Sequence, residues 1–491
     1  MDRSILVRKY FEEHKFVESS IQSFNTFIER GMQEVVDENK EAEPAIIPHN
    51  IERFVIKFGK IWVGKPEITE ADGSKRNIYP VEARLRKISY SAPIFLEISA
   101  YVNDVQRESF TAQIGKMPIM LKSKYCHLAG LGRDELVKHG EDPDEPGGSF
   151  IINGTEKVLI TVEDLAPNTF TVDREANGTL TGKIFSERGS YKIPHTLERK
   201  KDGIAYLTFT RVKKVSLVLI LKALGLVKDE DIVRAVSRDE QYPGVLVNLY
   251  EFVEVKSRED ALDEVAKQIG ITQARDVRLE RVREILQKYL LPHLGVSDDD
   301  LLGKAHNLCK MWKRYLEVER GVLAPDDKDH YGNKKLKQSG DLLMDLFAVN
   351  FKVLVGDLLY NFQRIIKRGK LPSIRVIIRE KLLTSRIYSS MATGSWVGGR
   401  KGISQRMQRL NYLEALSHLQ RIVSPLSASQ ENFEARALHS THLGRLCPIE
   451  TPEGTNIGLR KNLALLCTIS HESSEQEVLS LLKKYGLETV P

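Results

Sequence analysis

The residues best suited to chemistry in this chain are cations gathered in one region. Residues 364–462 contain 17 Lys and Arg against 6 Asp and Glu, whereas the rest of the chain carries 56 against 61. A concentrated positive field on an otherwise slightly acidic protein is typical of contact with a polyanion such as nucleic acid. Charge counting alone leaves a second interpretation open, a solvated basic face without a ligand.

The order of these cations along the chain predicts a groove built from several elements. Arg400 and Lys401 follow a Gly-Gly loop, a helix is predicted over Gln405–Arg421, and a strand-like path follows it. The candidate contacts on the helix and the path are Gln405, Arg406, Gln408, Arg409, Asn411, Arg421, Arg436, His439, His442 and Arg445. Arg suits bidentate phosphate contacts, and only Tyr412 and Phe433 offer faces for stacking, so we expect contacts to the nucleic-acid backbone to dominate.

Zinc chemistry is the main alternative, because His439, His442, Cys447 and Glu450 are all of types that bind zinc. Glycines and prolines interrupt this stretch and favour a turning path over the helix that would bring the two histidines together. We therefore assign no metal to the chain. A zinc hydrolase using His439, His442 and Cys447 remains an alternative, and so does a stand-alone DNA-binding protein.

Several other classes of function lack their motifs. No GxxxxGK[ST] or strand-associated GxGxxG is present, which argues against a common nucleotide-hydrolysing or dinucleotide-binding site. No apolar run reaches the roughly 20 residues of a membrane span, and the N-terminus lacks the pattern of a secretion signal. The four cysteines are scattered singly, which fits a reducing compartment. We expect a cytoplasmic protein with no membrane partner.

Hydrophobic periodicity predicts an α+β fold. Apolar spacing over residues 4–37 predicts helices, and period-two alternation from Ile51 and over Val81–Val102 predicts strands. The dipeptide Asn153-Gly154 predicts a hairpin turn between two apolar runs.

The second half of the chain is expected to be richer in helix. A section between about 155 and 325 combines strands with helices predicted at 258–268, 277–291 and 301–319. A long helix over Leu342–Ile366 follows, and we expect it to pack against the first domain.

Five stretches, in order, resemble the second-largest subunit of multisubunit DNA-dependent RNA polymerases. The longest is RLCPIETPEGTNIGLRKNLAL at 445–465. The others are MPIMLKSKYCHL at 117–128, GGSFIINGTEKVLI at 147–160, DKDHYGNKKLKQSGDLL at 327–343 and SHLQRIVSPL at 417–426. Members of that family are usually more than twice this length, so the resemblance points to the N-terminal half of the split subunit found in many archaea.

The resemblance implies a multidomain polymerase-subunit architecture. It implies a protrusion at 1–154 and 328–385, an inserted lobe at 155–327, a fork at 386–462 and the start of an external region at 463–491. The implied activity is that of a nucleotidyltransferase complex transcribing DNA into RNA. This chain would form one side of the DNA cleft and would not be catalytic alone.

The resemblance also implies partners and cofactors. The protein partners are the C-terminal half of the split subunit, the largest subunit, smaller polymerase subunits and general initiation factors, and the ligands are DNA template, nascent RNA and nucleoside triphosphates. The catalytic Mg²⁺ is implied on aspartates of the largest subunit, with zinc elsewhere in the complex and no cofactor on this chain.

Individual roles follow from the same resemblance. Arg400 and Lys401 match a fork loop over downstream DNA. His418, Arg421 and Arg436 match positions flanking the RNA–DNA hybrid. Glu450 falls in the motif facing the incoming nucleotide, where it either organises that site or acts as a structural carboxylate pairing with Arg445 or Arg460.

Overall fold

The chain forms two compact units, and the sequence of the second is inserted within the sequence of the first. The computed structural model describes residues 3–48, 51–175, 178–189, 191–237, 242–369, 371–470 and 474–487. The first unit comprises Met1–Asp164 and Leu336–Pro491, and the second comprises Leu165–Lys335. Helices and strands occur in both, which confirms the predicted α+β fold.

The N-terminal part of the first unit begins with helices and continues with antiparallel strands. Its helices are α1 (Ser4–Glu13), α2 (Glu18–Thr26), α3 (Met32–Glu38), α4 (Pro80–Leu85) and α5 (Arg133–Lys138), with a π-helical turn at Phe27–Gly31. Its strands are β1 (Glu41–Ala42), β2 (Phe54–Val63), β3 (Glu67–Thr69), β4 (Lys75–Asn77), β5 (Ser91–Val102), β6 (Val105–Pro118), β7 (Phe150–Ile152), β8 (Thr155–Leu159) and β9 (Thr161–Leu165). The helices predicted over residues 4–37 are confirmed.

The prediction of strand over Val81–Val102 is wrong for its first residues. Pro80 occupies the first turn of α4, where its fixed φ suits a helix, and the strand β5 begins only at Ser91. The predicted hairpin is confirmed, because β7 and β8 pair across Asn153 and Gly154. Both turn residues have positive φ, at 50° and 75°, as a type I′ turn requires.

The second unit is a meander of five antiparallel strands covered by helices. Its strands are β10 (Thr171–Arg174), β11 (Leu180–Arg188), β12 (Tyr191–Arg199), β13 (Ala205–Phe209) and β14 (Val212–Ser216), paired in that order. Its helices are α6 (Leu217–Ala223), α7 (Asp229–Val236), α8 (Pro243–Glu251), α9 (Arg258–Ile269), α10 (Arg275–Tyr289) and α11 (Leu301–Glu319). The three predicted helices correspond to α9, α10 and α11.

The chain then returns to the first unit through a long helix. The remaining strands are β15 (Lys334–Lys337), β16 (Ser404–Arg406), β17 (Arg421–Val423) and β18 (Arg460–Asn462). The remaining helices are α12 (Ser339–Ile366), α13 (Ile374–Ile377), α14 (Glu380–Thr393), α15 (Tyr412–Leu419) and α16 (Glu475–Lys484).

The helix α12 packs on the N-terminal sheet, as predicted. That sheet has the order β1-β2-β5-β6. The ring of Phe362 lies 4.5 Å from that of Phe54, and the ring of Phe351 lies 5.7 Å from that of Phe58, measured between centroids. The two ends of the first unit therefore share one hydrophobic core.

The helix predicted over Gln405–Arg421 is wrong, because tertiary pairing divides that segment. Its first residues form β16 against β8, and its last residue begins β17. The helix α15 occupies only the middle, and it starts where the side chain of Asn411 accepts a hydrogen bond from the backbone N–H of Glu414 at 2.8 Å. The strand-like path predicted after it is instead two 3₁₀ turns, Glu434–Arg436 and Ser440–His442.

The lengths and compositions of the helices show whether any of them could cross a membrane. Among the described residues, no helix is both long enough and apolar enough to span a bilayer.

Candidate nucleic-acid interface

Two small sheets of the first unit position the candidate contacts. One has the order β16-β8-β7 and the other β15-β9-β17-β18. Because β17 and β18 are antiparallel, Arg421 lies opposite Asn462 and Val423 lies opposite Arg460. Residues far apart in the sequence are thereby held on one rigid framework.

Arg400 does not extend freely from its loop. Its guanidinium donates to the carboxylate of Asp164 at 2.7 Å, and both side chains are largely buried. Lys401 beside it is exposed and has no ion pair within the described residues. The two neighbours therefore differ, with one holding the loop in place and the other directed to solvent.

Arg409 forms ion pairs with two carboxylates, although 35% of its side chain is exposed. It donates to Glu145 at 2.8 Å and to Glu156, while Arg84 binds Glu156 at 2.8 Å and also Glu141. Burial opposes the charge, but the hydrogen bond to Glu156 and the charge of Glu145 raise the pKa of Arg409. Its positive charge is compensated inside the chain, where it ties the segment after β16 to the hairpin.

Arg436 joins two loops through backbone carbonyls. One terminal nitrogen donates to the oxygens of Thr455 at 2.7 Å and Ile457 at 3.0 Å. The other donates to the oxygens of Ala428 at 2.9 Å and Gln430 at 3.1 Å. Most of its donors are thus used to hold the 3₁₀ turn of the PIETPEG motif against the preceding loop.

His418 is a buried neutral histidine. Its Nδ1 accepts from the backbone N–H of Gln408 at 3.2 Å, which leaves the proton on Nε2 to be donated to the amide oxygen of Gln405 at 3.3 Å. Burial, assisted by the charge of Arg421, lowers the pKa of His418 to about 4. This arrangement orients Gln405 and does not expose a cation.

Arg421 and Arg460 form a different kind of site. Burial and then the neighbouring charge of Arg460 lower the pKa of Arg421. Arg421 donates to the side-chain oxygen of Gln408 at 3.4 Å, and within the described residues neither arginine has an ion pair. Two half-buried cations that repel each other are well suited to an anion that bridges them.

Glu450 is held by a short chain of hydrogen bonds. The hydroxyl of Ser417 donates to its carboxylate, and the side-chain amide of Asn462 donates to that hydroxyl at 2.8 Å. Neither Arg445 nor Arg460 forms the ion pair considered above within the described residues. Glu450 itself is exposed, so this network fixes the position of a carboxylate on the surface.

The other candidate contacts differ in how far their side chains are exposed to solvent. Arg406 and Arg445 are exposed, and Arg445 donates to the backbone oxygen of Thr441 at 3.0 Å. His439 is half-buried and precedes the 3₁₀ turn Ser440–His442 as its N-cap, where its Nδ1 accepts from the backbone N–H of Thr441 at 3.2 Å. Of the residues considered, Arg421, Arg460 and Glu450 are the ones that the structure brings together, around the side chains of Ser417 and Asn462.

The zinc alternative has no assembled site. The rings of His439 and His442 lie 6.0 Å apart, and no group of three or more His, Cys, Asp or Glu in the described part of the chain is arranged to hold a metal. The stretch turns as its glycines and prolines predict.

Some important residues were missed by the sequence reasoning. Lys461 and Glu163 form a buried ion pair that joins β18 to β9, although they are 298 positions apart. Ser417 and Asn462 lie within two of the stretches that resemble the family, at 417–426 and 445–465. Their positions in those stretches are the sequence signal that could have identified them. Nothing in the local sequence marks Glu163 as a partner.

Two family models match the chain. The model described as RNA polymerase beta subunit matches residues 15–385, and the one described as RNA polymerase Rpb2, domain 3, matches residues 405–469. The chain belongs to the RNA polymerase beta subunit family. This confirms the resemblance carried by the five stretches.

Relatives show which part of the subunit this is. The chain is 45% identical to DNA-directed RNA polymerase subunit Rpo2N of Methanocaldococcus jannaschii, over 98% of each chain. It is 39% identical to Rpo2N of Halobacterium salinarum, over 100% of this chain and 97% of the relative. It is 42% identical to subunit Rpo2 of Saccharolobus solfataricus, over 99% of this chain but only 43% of that relative. The chain therefore corresponds to the N-terminal half of the split second-largest subunit.

Proposed function

We propose that this chain works as a subunit of a DNA-directed RNA polymerase and that its fork holds nucleic-acid phosphates. The observation that supports this most directly is the pair Arg421 and Arg460, which is half-buried and lacks an ion-pairing carboxylate within the described residues. A phosphate between the two guanidinium groups relieves their repulsion and accepts charge-assisted hydrogen bonds.

Exposed cations extend this contact. Lys401, Arg406 and Arg445 supply further positive charge that can follow a sugar-phosphate backbone without reading its sequence. Arg400, Arg409, Arg436 and His418 have a different role in the proposal, because their charge or donors are used within the chain. They give the fork a fixed shape.

Glu450 is proposed to organise the nucleotide side of this surface. Ser417 and Asn462 fix the carboxylate, which lowers the electrostatic potential beside Arg421 without neutralising it. A fixed carboxylate at the edge of a phosphate site favours one orientation of an incoming anion over another.

Catalysis in this proposal is shared with other subunits. Mg²⁺ held by aspartates of the largest subunit would supply the activation of the nucleophile and the stabilisation of the leaving group, and zinc would be bound elsewhere in the complex. The C-terminal half of the split subunit, smaller subunits and initiation factors complete the assembly in the cytoplasm. The second unit corresponds to the lobe and the first to the protrusion and fork.

Gentle purification of the tagged chain from its native host tests the assignment. We expect template-dependent nucleotide incorporation to co-purify with it, together with a large polypeptide that carries the catalytic aspartates. Recovery of the chain alone, with stoichiometric zinc or with tight DNA binding and no polymerase activity, would contradict the proposal in favour of one of the two alternatives.

A further inference from the structure

The helix α16 (Glu475–Lys484) exposes an apolar stripe. Val478, Leu481 and Leu482 and the C-cap residue Tyr485 recur at the i, i+3, i+4, i+7 spacing that places side chains on one helix face. Their exposed fractions are 42, 55, 44 and 82% respectively. Gln476 and Ser480 lie on the opposite face, so the helix is amphipathic.

This helix has no core of its own to pack on. All of its described residues are exposed, and helices this short are marginal in water unless an apolar face is buried. Exposed leucines at regular helical spacing indicate a surface that another chain segment covers.

The relatives indicate which segment that is. The undivided Rpo2 chain of Saccharolobus solfataricus matches this chain over 43% of its own length, so more than half of that subunit lies outside the match. Because this chain corresponds to the N-terminal half, the unmatched part of the undivided Rpo2 chain follows the region that corresponds to α16. Within the undivided chain, the segments that follow this region most closely have the highest effective concentration for packing on the stripe, and in the split subunit those segments belong to the C-terminal half.

We propose that the stripe of α16 is a seam on which the C-terminal half of the split subunit docks. The proposal rests on the proposed function, since it names the surface that joins the two halves. The occupant is an apolar surface of that half, and the amphipathic helix lies on it with Gln476 and Ser480 facing solvent.

Capture of the C-terminal half by the tagged full-length chain tests the seam. The probe is the purified polypeptide of the same genome that matches the rest of undivided Rpo2. We expect Leu481→Glu combined with Leu482→Glu to weaken binding at least tenfold. The matched control, Gln476→Glu with Ser480→Glu, adds the same charge to the opposite face and should bind as the unsubstituted chain does.

Each other outcome has a definite meaning. Unchanged binding by the leucine variant overturns the seam, and so does a dimer of the chain alone that the same variant dissociates, because the occupant is then a second copy. Thermal unfolding of the leucine variant should match that of the control, since the substituted side chains are exposed. If the halves bind through the stripe but the fully assembled enzyme is inactive, the proposed function fails and the seam stands.

Discussion

The ammonium of Lys461 lies 3.1 Å from both carboxylate oxygens of Glu163, and both side chains are buried. Removing one member leaves the other charge buried without this partner. We expect Lys461→Met to lower the free energy of unfolding by about 3–5 kcal/mol. Urea denaturation of the purified chain measures this, with the exposed Lys401→Met as control at about 0.5 kcal/mol or less. A loss no greater than that of the control would show that the pair does not hold β18 to β9.

Gly458 lies against the backbone of Arg436. Its φ is +71°, and a Cβ there would lie 2.2 Å from the carbonyl oxygen of Arg436. We expect Gly458→Ala to destabilise the fork by more than about 2 kcal/mol, because both strain and overlap oppose the new methyl group. Gly444 has a similar φ of +75° with open space around it, so Gly444→Ala should cost only about 1–2 kcal/mol. Equal melting temperatures for the two variants would contradict the close approach.

The arginine pair predicts a specific defect in complex stability. We expect Arg421→Ala and Arg460→Ala each to shorten the half-life of the elongation complex by about tenfold or more, since a charge-assisted hydrogen bond contributes about 1.5–3 kcal/mol. Each should also reduce the dependence of binding on salt, because one fewer cation contacts phosphate.

The control for the pair lies in the second unit. Lys267 is exposed and already bound to Asp263 and Glu264, so Lys267→Ala should leave the half-life unchanged. Half-lives that are the same for all three variants would remove the fork from the nucleic-acid contact.

His418 makes the fork sensitive to acid. Its pKa is about 4 in the folded protein, against about 6.5 in an unfolded chain. The folded state therefore binds fewer protons, and the stabilisation is present in full above pH 6.5 and is lost as the pH falls toward 4. The loss is at most about 3 kcal/mol.

Hydrogen exchange of residues 405–421 at pH 7.5 and pH 5.0 measures this effect. We expect faster exchange at pH 5.0 after correction for the intrinsic rate, and a smaller difference in His418→Gln. A pH difference that survives the substitution unchanged would assign the sensitivity to another group.

Local patterns in the sequence were sufficient for much of the fold. The helices α9, α10, α11 and α12 and the Asn153-Gly154 hairpin follow from periodicity and turn chemistry, which depend on neighbouring residues only. The family also follows from the sequence, because its motifs are continuous stretches such as residues 445–465.

Only the tertiary structure decided how the cations are used. Arg400, Arg409 and Arg436 look like Arg421 in the sequence, but the first two meet carboxylates and the third meets carbonyls supplied by other segments. The segment over Gln405–Arg421 has helical composition, yet pairing with β8, β9 and β18 turns its ends into strands. The sequence determined where positive charge is concentrated. Long-range contacts determined which of these charges are paired within the described part of the chain, because a charge is neutralised by its neighbours in space and not by its neighbours in sequence.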